Sequence, residues 1–202
     1  MKVIGLTGPS GAGKGAVCGV LAKHGIPAID TDAVYHRLLA ENDALTEELC
    51  ASFGKDILNE SCRVDRKKLG AAVFGRPDTP ARLHTLNTIT HKYVMARTHE
   101  LMRELAQTGA RAIVIDAPQL FEARIEGECD LIVGVLADRA VRLARIMARD
   151  GISEENANKR INAQKSDDFF RSSCHYILTN DGDLADLEAQ ILRFLENSGF
   201  GA

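Results

Sequence analysis

Long apolar runs are missing from this chain. No stretch approaches the roughly 20 uninterrupted apolar residues that a membrane-crossing helix needs. The opening residues, KVIGLTGPSGAGKG, read as a short buried strand running into glycines, not as a secretion signal. A surplus of charge is missing too. The 25 basic and 28 acidic side chains leave a net charge of -3, which gives no reason to expect nucleic acid or an anionic membrane as partner. Paired cysteines are absent: Cys18, Cys50, Cys62, Cys129 and Cys174 are scattered and odd in number. That argues against a disulfide framework and a zinc knuckle, and for reduced thiols in a cytoplasm. The six histidines show neither H-x-x-x-H nor H-E-x-x-H spacing, so no histidine metal motif is present. Repeats, low-complexity tracts and linkers are lacking as well. The 202 residues, 45% hydrophobic and 26% charged, suit one folded domain with embedded subdomains, expected as a monomer or weak oligomer.

What is present is concentrated at the start. Gly8, Gly13 and Lys14 have the G-x-x-x-x-G-K spacing of a phosphate loop. Glycines let backbone N–H groups converge without side chains in the way. Together with the N-terminus of a following helix, those groups make a concave polyphosphate site, and Lys14 can reach the terminal phosphates. The expected loop comprises Gly8, Pro9, Ser10, Gly11, Ala12, Gly13, Lys14, Gly15 and Ala16, with a helix over 16–24. One position departs from the pattern. Ser or Thr should follow the lysine, to bind magnesium through its hydroxyl; here Gly15 and Ala16 follow it. Two readings stay open: the metal is held mostly by water and carboxylates, which magnesium tolerates, or catalysis is weakened.

Five β-branched runs, at 3–7, 26–31, 111–117, 131–137 and 176–180, read as strands, with helical stretches between them. Continuous apolar runs such as AIVI and LIVGVL suit strands buried on both faces of a parallel sheet. Alternation of strand and helix gives a doubly wound α/β core. The last helix, from an Asp183 cap to Glu196, carries Leu184, Leu187, Ile191, Leu192 and Leu195 on one stripe. Between the second and third strands lie about eighty residues with no convincing strand, far more than an ordinary connection. The expected division is a nucleotide-binding core of residues 1–41, 110–148 and 174–202, a helical subdomain of 42–109, and a lid of 149–173.

Carboxylates fall at the strand ends, where open α/β sheets bind ligands. Asp32, in Asp30-Thr31-Asp32, can take the proton of an attacking hydroxyl; the alternative is that it caps the next helix. Asp30 could be a water-mediated metal ligand or a supporting residue. Asp116 ends AIVI in the position where a carboxylate holds magnesium through water. Phe121 and Leu120, in the loop after it, could line an acceptor wall or belong to the core. Arginines gather from 138 to 171. A lid carrying them could neutralise a transferring phosphoryl group and exclude water. Arg149 and Arg160 are the candidates, whereas Arg139 and Arg145 are expected on a solvated helix face.

Taken together, IGLTG before the loop, IDTD at the end of strand two, PQLFE, RIMARDGISEENANKRINAQ and the late TNDGDLADLEAQI make the chain resemble the dephospho-CoA kinases over nearly its whole length. The resemblance implies an α/β P-loop kinase fold: a five-stranded parallel sheet flanked by helices, a helical acceptor-binding insertion and a lid. It implies phosphorylation of the ribose 3′-hydroxyl of dephospho-CoA, with ATP and Mg2+ as cofactors. By position, Lys14 and the loop would bind the ATP phosphates, Asp32 would be the base, and Arg149 and Arg160 lid arginines. Asn180 and Gly182 would lie near adenine, and Phe121 and Glu122 would face the CoA moiety. His36 stands where the family commonly has Arg, and His91 where its pattern has His followed by Pro; both are candidate acceptor contacts. Two other readings remain: a kinase of another small nucleotide-like acceptor, and a weakly active relative that binds ATP or CoA in a regulatory role.

Overall fold

The computed structural model describes residues 1–200. Five strands form one sheet: β1 (Lys2–Thr7), β2 (Ala28–Asp30), β3 (Ala112–Asp116), β4 (Leu131–Leu136) and β5 (Tyr176–Thr179). Their order is β2-β3-β1-β4-β5. Strand β1 runs parallel to β3 and β4, and β4 parallel to β5. The strands fall where the β-branched runs predicted them, each end within one or two residues; β2 is shortened to three residues. From central β1 the chain passes to one edge of the sheet, and after β3 to the other. The turn after β1 therefore lies at a reversal point, where such sheets open a crevice.

Side-chain alternation explains the layering. Ile4, Leu6, Val114, Val133, Val135 and Leu178 share one face of the sheet. They pack against α1 (Lys14–Lys23) through Val17, Val20 and Leu21, and against α9 (Leu184–Ser198) through Leu187, Ile191, Phe194 and Leu195. Asp183 caps α9, its carboxylate accepting from the Asp186 N–H at 2.9 Å. Of the expected α9 stripe, Leu184 and Leu192 stay exposed.

The chain divides into two compact units, one of residues 1–29 and 104–202 and one of 30–103. The second unit is helical: α2 (Thr31–Glu41), α3 (Asp43–Phe53), α4 (Arg66–Val73) and the greater part of α5 (Thr79–Gln107). After Asp30, where β2 ends, its one β feature among the described residues is a bridge, Leu58 to Val64. Asp30, Asn42 and Asp65 cap α2, α3 and α4, each carboxylate or amide oxygen accepting from first-turn N–H groups. Glu48 accepts from both Lys92 and Tyr93 at 2.8 Å, tying α3 to α5. In the first unit, α6 (Arg139–Asp150) is followed by α7 (Glu154–Asn162) and α8 (Asp167–Ser173). Ile146 of α6 and Ala157 and Ile161 of α7 form a small separate core.

Phe194 is 1% exposed beneath the sheet. Phe194→Ala is expected to destabilise the fold by about 3–5 kcal/mol, the range for emptying a buried aromatic site. Urea unfolding followed by circular dichroism checks this.

Candidate active site

The loop after β1 is built from backbone. Gly8, Gly11 and Gly13 all take positive φ, at 142°, 80° and 96°, which side chains rarely allow. Space forbids a side chain as firmly. A Cβ on Gly8 would lie 2.2 Å from the Val135 carbonyl oxygen, and one on Gly13 would lie 2.0 Å from Asn180 Nδ2. Gly13 caps α1 without a side-chain bond to the first turn. Those N–H groups and the helix dipole are therefore available to an anion. Lys14 folds back over the turn, its Nζ 3.4 Å from the Gly8 carbonyl oxygen. Helix α1 thus begins at the lysine, two residues earlier than the sequence predicted. At Gly15 a Cβ would meet nothing within 4 Å, so the hydroxyl missing there is missing from the sequence alone, not excluded by packing.

Two further elements wall the loop. From α6, Arg145 Nη1 lies 3.3 Å from the Gly11 carbonyl oxygen and 3.0 Å from that of Asn180. This corrects the expectation of a solvated Arg145. Its helix packs against the loop, so its half-buried side chain meets carbonyls instead of water. Arg139, although exposed, donates to Asn158 at 2.7 Å and Asn162 at 2.9 Å, joining α6 to α7. Arg142 is buried and pairs with Asp167 at 3.3 Å. Asn180, directly after β5, is 6% exposed and donates through Nδ2 to the Ala12 carbonyl at 2.8 Å. Asp181 accepts from the Asp138 N–H at 2.5 Å. Gly182 is packed on Asp186, where a Cβ would lie 2.6 Å from Oδ2.

Arg149 of α6 and Gln164 after α7 meet the loop at Ser10. The Ser10 N–H donates to Gln164 Oε1 at 3.1 Å, and its hydroxyl accepts from Arg149 Nη2 at 3.2 Å. Arg149 also forks onto Asp150, with Nε at 2.8 Å from Oδ1 and Nη2 at 2.9 Å from Oδ2, and Arg160 pairs with the same carboxylate. The Arg149 hydrogen bonds hold the Asp150 carboxyl below its usual range. Gln164 was not among the residues the sequence singled out. Its place at the end of RINAQ is the one signal that could have found it.

Asp116 lies opposite Leu6 in the β1–β3 register, half-buried, with Oδ2 3.8 Å from the Cys18 Sγ of α1. Leu120 is fully buried core. Phe121 packs edge-on against Phe169 of α8, centroids 5.2 Å apart, and Glu122 is exposed. Asp32, His36 and His91 belong to the helical unit. There the capping alternative for Asp32 fails. Asp30 is the cap, its Oδ1 accepting from the N–H groups of Asp32 at 2.9 Å and Ala33 at 3.0 Å. The Asp32 side chain is left exposed in the first turn of α2. His36 is exposed beside the Tyr35 ring. His91 is half-buried on α5, and burial lowers its pKa.

Comparison with known proteins places this geometry. A dephospho-CoA kinase from Latilactobacillus sakei is 38% identical over 96% of this chain and 94% of its own length. A solved structure from Thermus thermophilus superposes with a TM-score of 0.80 at 34% identity, covering 97% of each chain. The dephospho-CoA kinase of Campylobacter jejuni, at 23% identity and a TM-score of 0.61 over 97% of this chain and 96% of its own, shares the P-loop kinase fold. A match to the family model for dephospho-CoA kinase runs from residue 2 to residue 186, through the loop and the helical unit alike, and the chain belongs to that family.

Proposed function

We infer that this protein transfers the γ-phosphoryl group of ATP to the ribose 3′-hydroxyl of dephospho-CoA, giving coenzyme A. The observation that carries the inference is the family match running unbroken across a phosphate loop of intact geometry. The loop amides and Lys14 would take the triphosphate, and the helical unit the acceptor. Phosphoryl transfer asks the protein mainly for positioning and charge stabilisation. Arg149 and Arg160 would supply the latter by exchanging Asp150 for phosphate oxygens. Their present ion pair is partly exposed, with side chains 58%, 44% and 22% accessible for Arg149, Arg160 and Asp150, and such pairs are weak enough to be traded. Phe121 and Glu122, with His36 and His91, are proposed acceptor contacts. Asn180 and Gly182 lie on the proposed adenine side, in a protein expected to work in the cytoplasm.

Asp32 would orient the 3′-hydroxyl and receive its proton late in the transfer. Its freedom from capping duty supports that role. Among the described residues no cluster of three or more His, Cys, Asp or Glu side chains could cage a metal. A magnesium ion that keeps most of its waters needs one or two carboxylates and the phosphates themselves. Asp116 fits that demand and would hold the ion through water. The bound ion would neutralise charge on the β- and γ-phosphates.

Incubation with ATP and dephospho-CoA should yield coenzyme A by mass spectrometry. ATP binding without turnover of dephospho-CoA, but with turnover of another nucleotide, would instead favour a different acceptor. Asp32→Asn is expected to lower kcat by about 10²–10⁴, the usual loss on removing a proton acceptor, with ATP affinity retained. An unchanged kcat removes Asp32 from the base role. Gly15→Ser with Ala16→Thr should fold normally, given the open space at residue 15. Turnover is expected to stay essentially unchanged if the metal is held through Asp116 and water. A large gain would mark the natural chain as a weakly active relative.

A further inference from the structure

A loop that points its amides at an anion must turn its carbonyls the other way. Those carbonyls then need donors of their own, since an interior carbonyl left unpaired is costly. Here the donors come from two residues outside the loop. Asn180 Nδ2 reaches the Ala12 carbonyl oxygen at 2.8 Å. The Asn180 N–H is anchored in turn on the Leu136 carbonyl at 2.8 Å, so the side chain projects from a fixed point at the end of the sheet. Arg145 Nη1 sits among three carbonyl oxygens, 3.3 Å from Gly11, 3.5 Å from Ala12 and 3.0 Å from Asn180. One guanidinium group thus joins the loop to the segment that carries the asparagine. The fit is tight: a Cβ on Gly13 would lie 2.0 Å from Asn180 Nδ2 and 3.6 Å from Arg145 Nη1.

We propose that Arg145 and Asn180 are positioning residues for the phosphate loop. They hold the Gly11 and Ala12 carbonyls away from the anion site and thereby aim the amides into it. Both act on the triphosphate through the loop's backbone, a role separate from any contact Asn180 makes on the adenine side. The proposal rests on the reading of the loop as the triphosphate site.

The probe that isolates this role is inorganic tripolyphosphate, which has neither base nor ribose. Isothermal titration of the full chain compares the natural protein with Arg145→Met, Arg145→Lys and Asn180→Leu. Arg145→Met keeps length and removes every donor. It is expected to weaken tripolyphosphate and ATP by the same factor, about tenfold or more, the scale of one lost charge-assisted bond to an interior carbonyl. Arg145→Lys, with a point charge and rotatable donors but no planar fork, should recover part of the loss for both ligands. Asn180→Leu changes no charge, so its parallel loss would separate bracing from simple electrostatic attraction. It also carries the test should Arg145→Met fail to fold. Tripolyphosphate affinity unchanged in Arg145→Met and Asn180→Leu, with only ATP weakened, overturns the proposal. A natural protein that binds ATP but no tripolyphosphate overturns the loop as anion site, and the brace with it.

Discussion

The Gly8–Lys14 turn must place several N–H groups on one side of a tight bend while the chain passes directly from a buried strand into a helix. That demand fixes much else. Gly8 can leave β1 only by lying against the Val135 carbonyl, closer than any Cβ would allow, so β4 has to be the neighbour of β1. Helix α1 has to begin at once, because its unsatisfied first turn completes the anion site. Buried residues of α1 and α9 then seat on the same face of the sheet, and the loop inherits the rigidity of that core. A polyphosphate site made of backbone costs little reorganisation when ligand arrives, which is what electrostatic catalysis requires.

Around that turn the charged groups of α6 and α7 make exposed contacts with one another and with the loop. Arg149 touches Ser10 of the loop while forked on Asp150, and Arg160 shares the same carboxylate. Gln164 occupies one loop amide, that of Ser10. These contacts lie toward solvent, where ion pairs contribute little and are screened. Arg142 is the contrast. It is 7% accessible and paired with Asp167, itself 39% accessible, so that losing the carboxylate would leave a buried guanidinium without its partner. One helix, α6, thus carries a buried arginine, one set among loop carbonyls and one exposed beside Ser10 within three turns.

Much of this was legible in the sequence because it depends on local pattern. LIVGVL and AIVI can be little else than strands covered on both faces, and the glycine spacing specifies the loop. The Asp183 cap follows from its place before an amphipathic stripe. What could not be read depends on residues far apart in the chain. Arg145 shares its spacing with Arg142 and Arg149 and looks solvated until the loop, 134 residues away, is set against it. Asn180 reaches a carbonyl 168 residues away. Both contacts exist only once the sheet has formed. The cap of α2 is a nearer case: two aspartates flank Thr31, and the helix begins two residues earlier than a cap at Asp32 would have it, choosing Asp30.

A crystal structure with a non-hydrolysable ATP analogue tests the central claim most directly. The β-phosphate should lie inside the 8–14 turn, with its oxygens within hydrogen-bonding distance of the backbone nitrogens of Gly13 and Lys14 and of Lys14 Nζ. A triphosphate bound elsewhere on the molecule, with the turn empty, would contradict it.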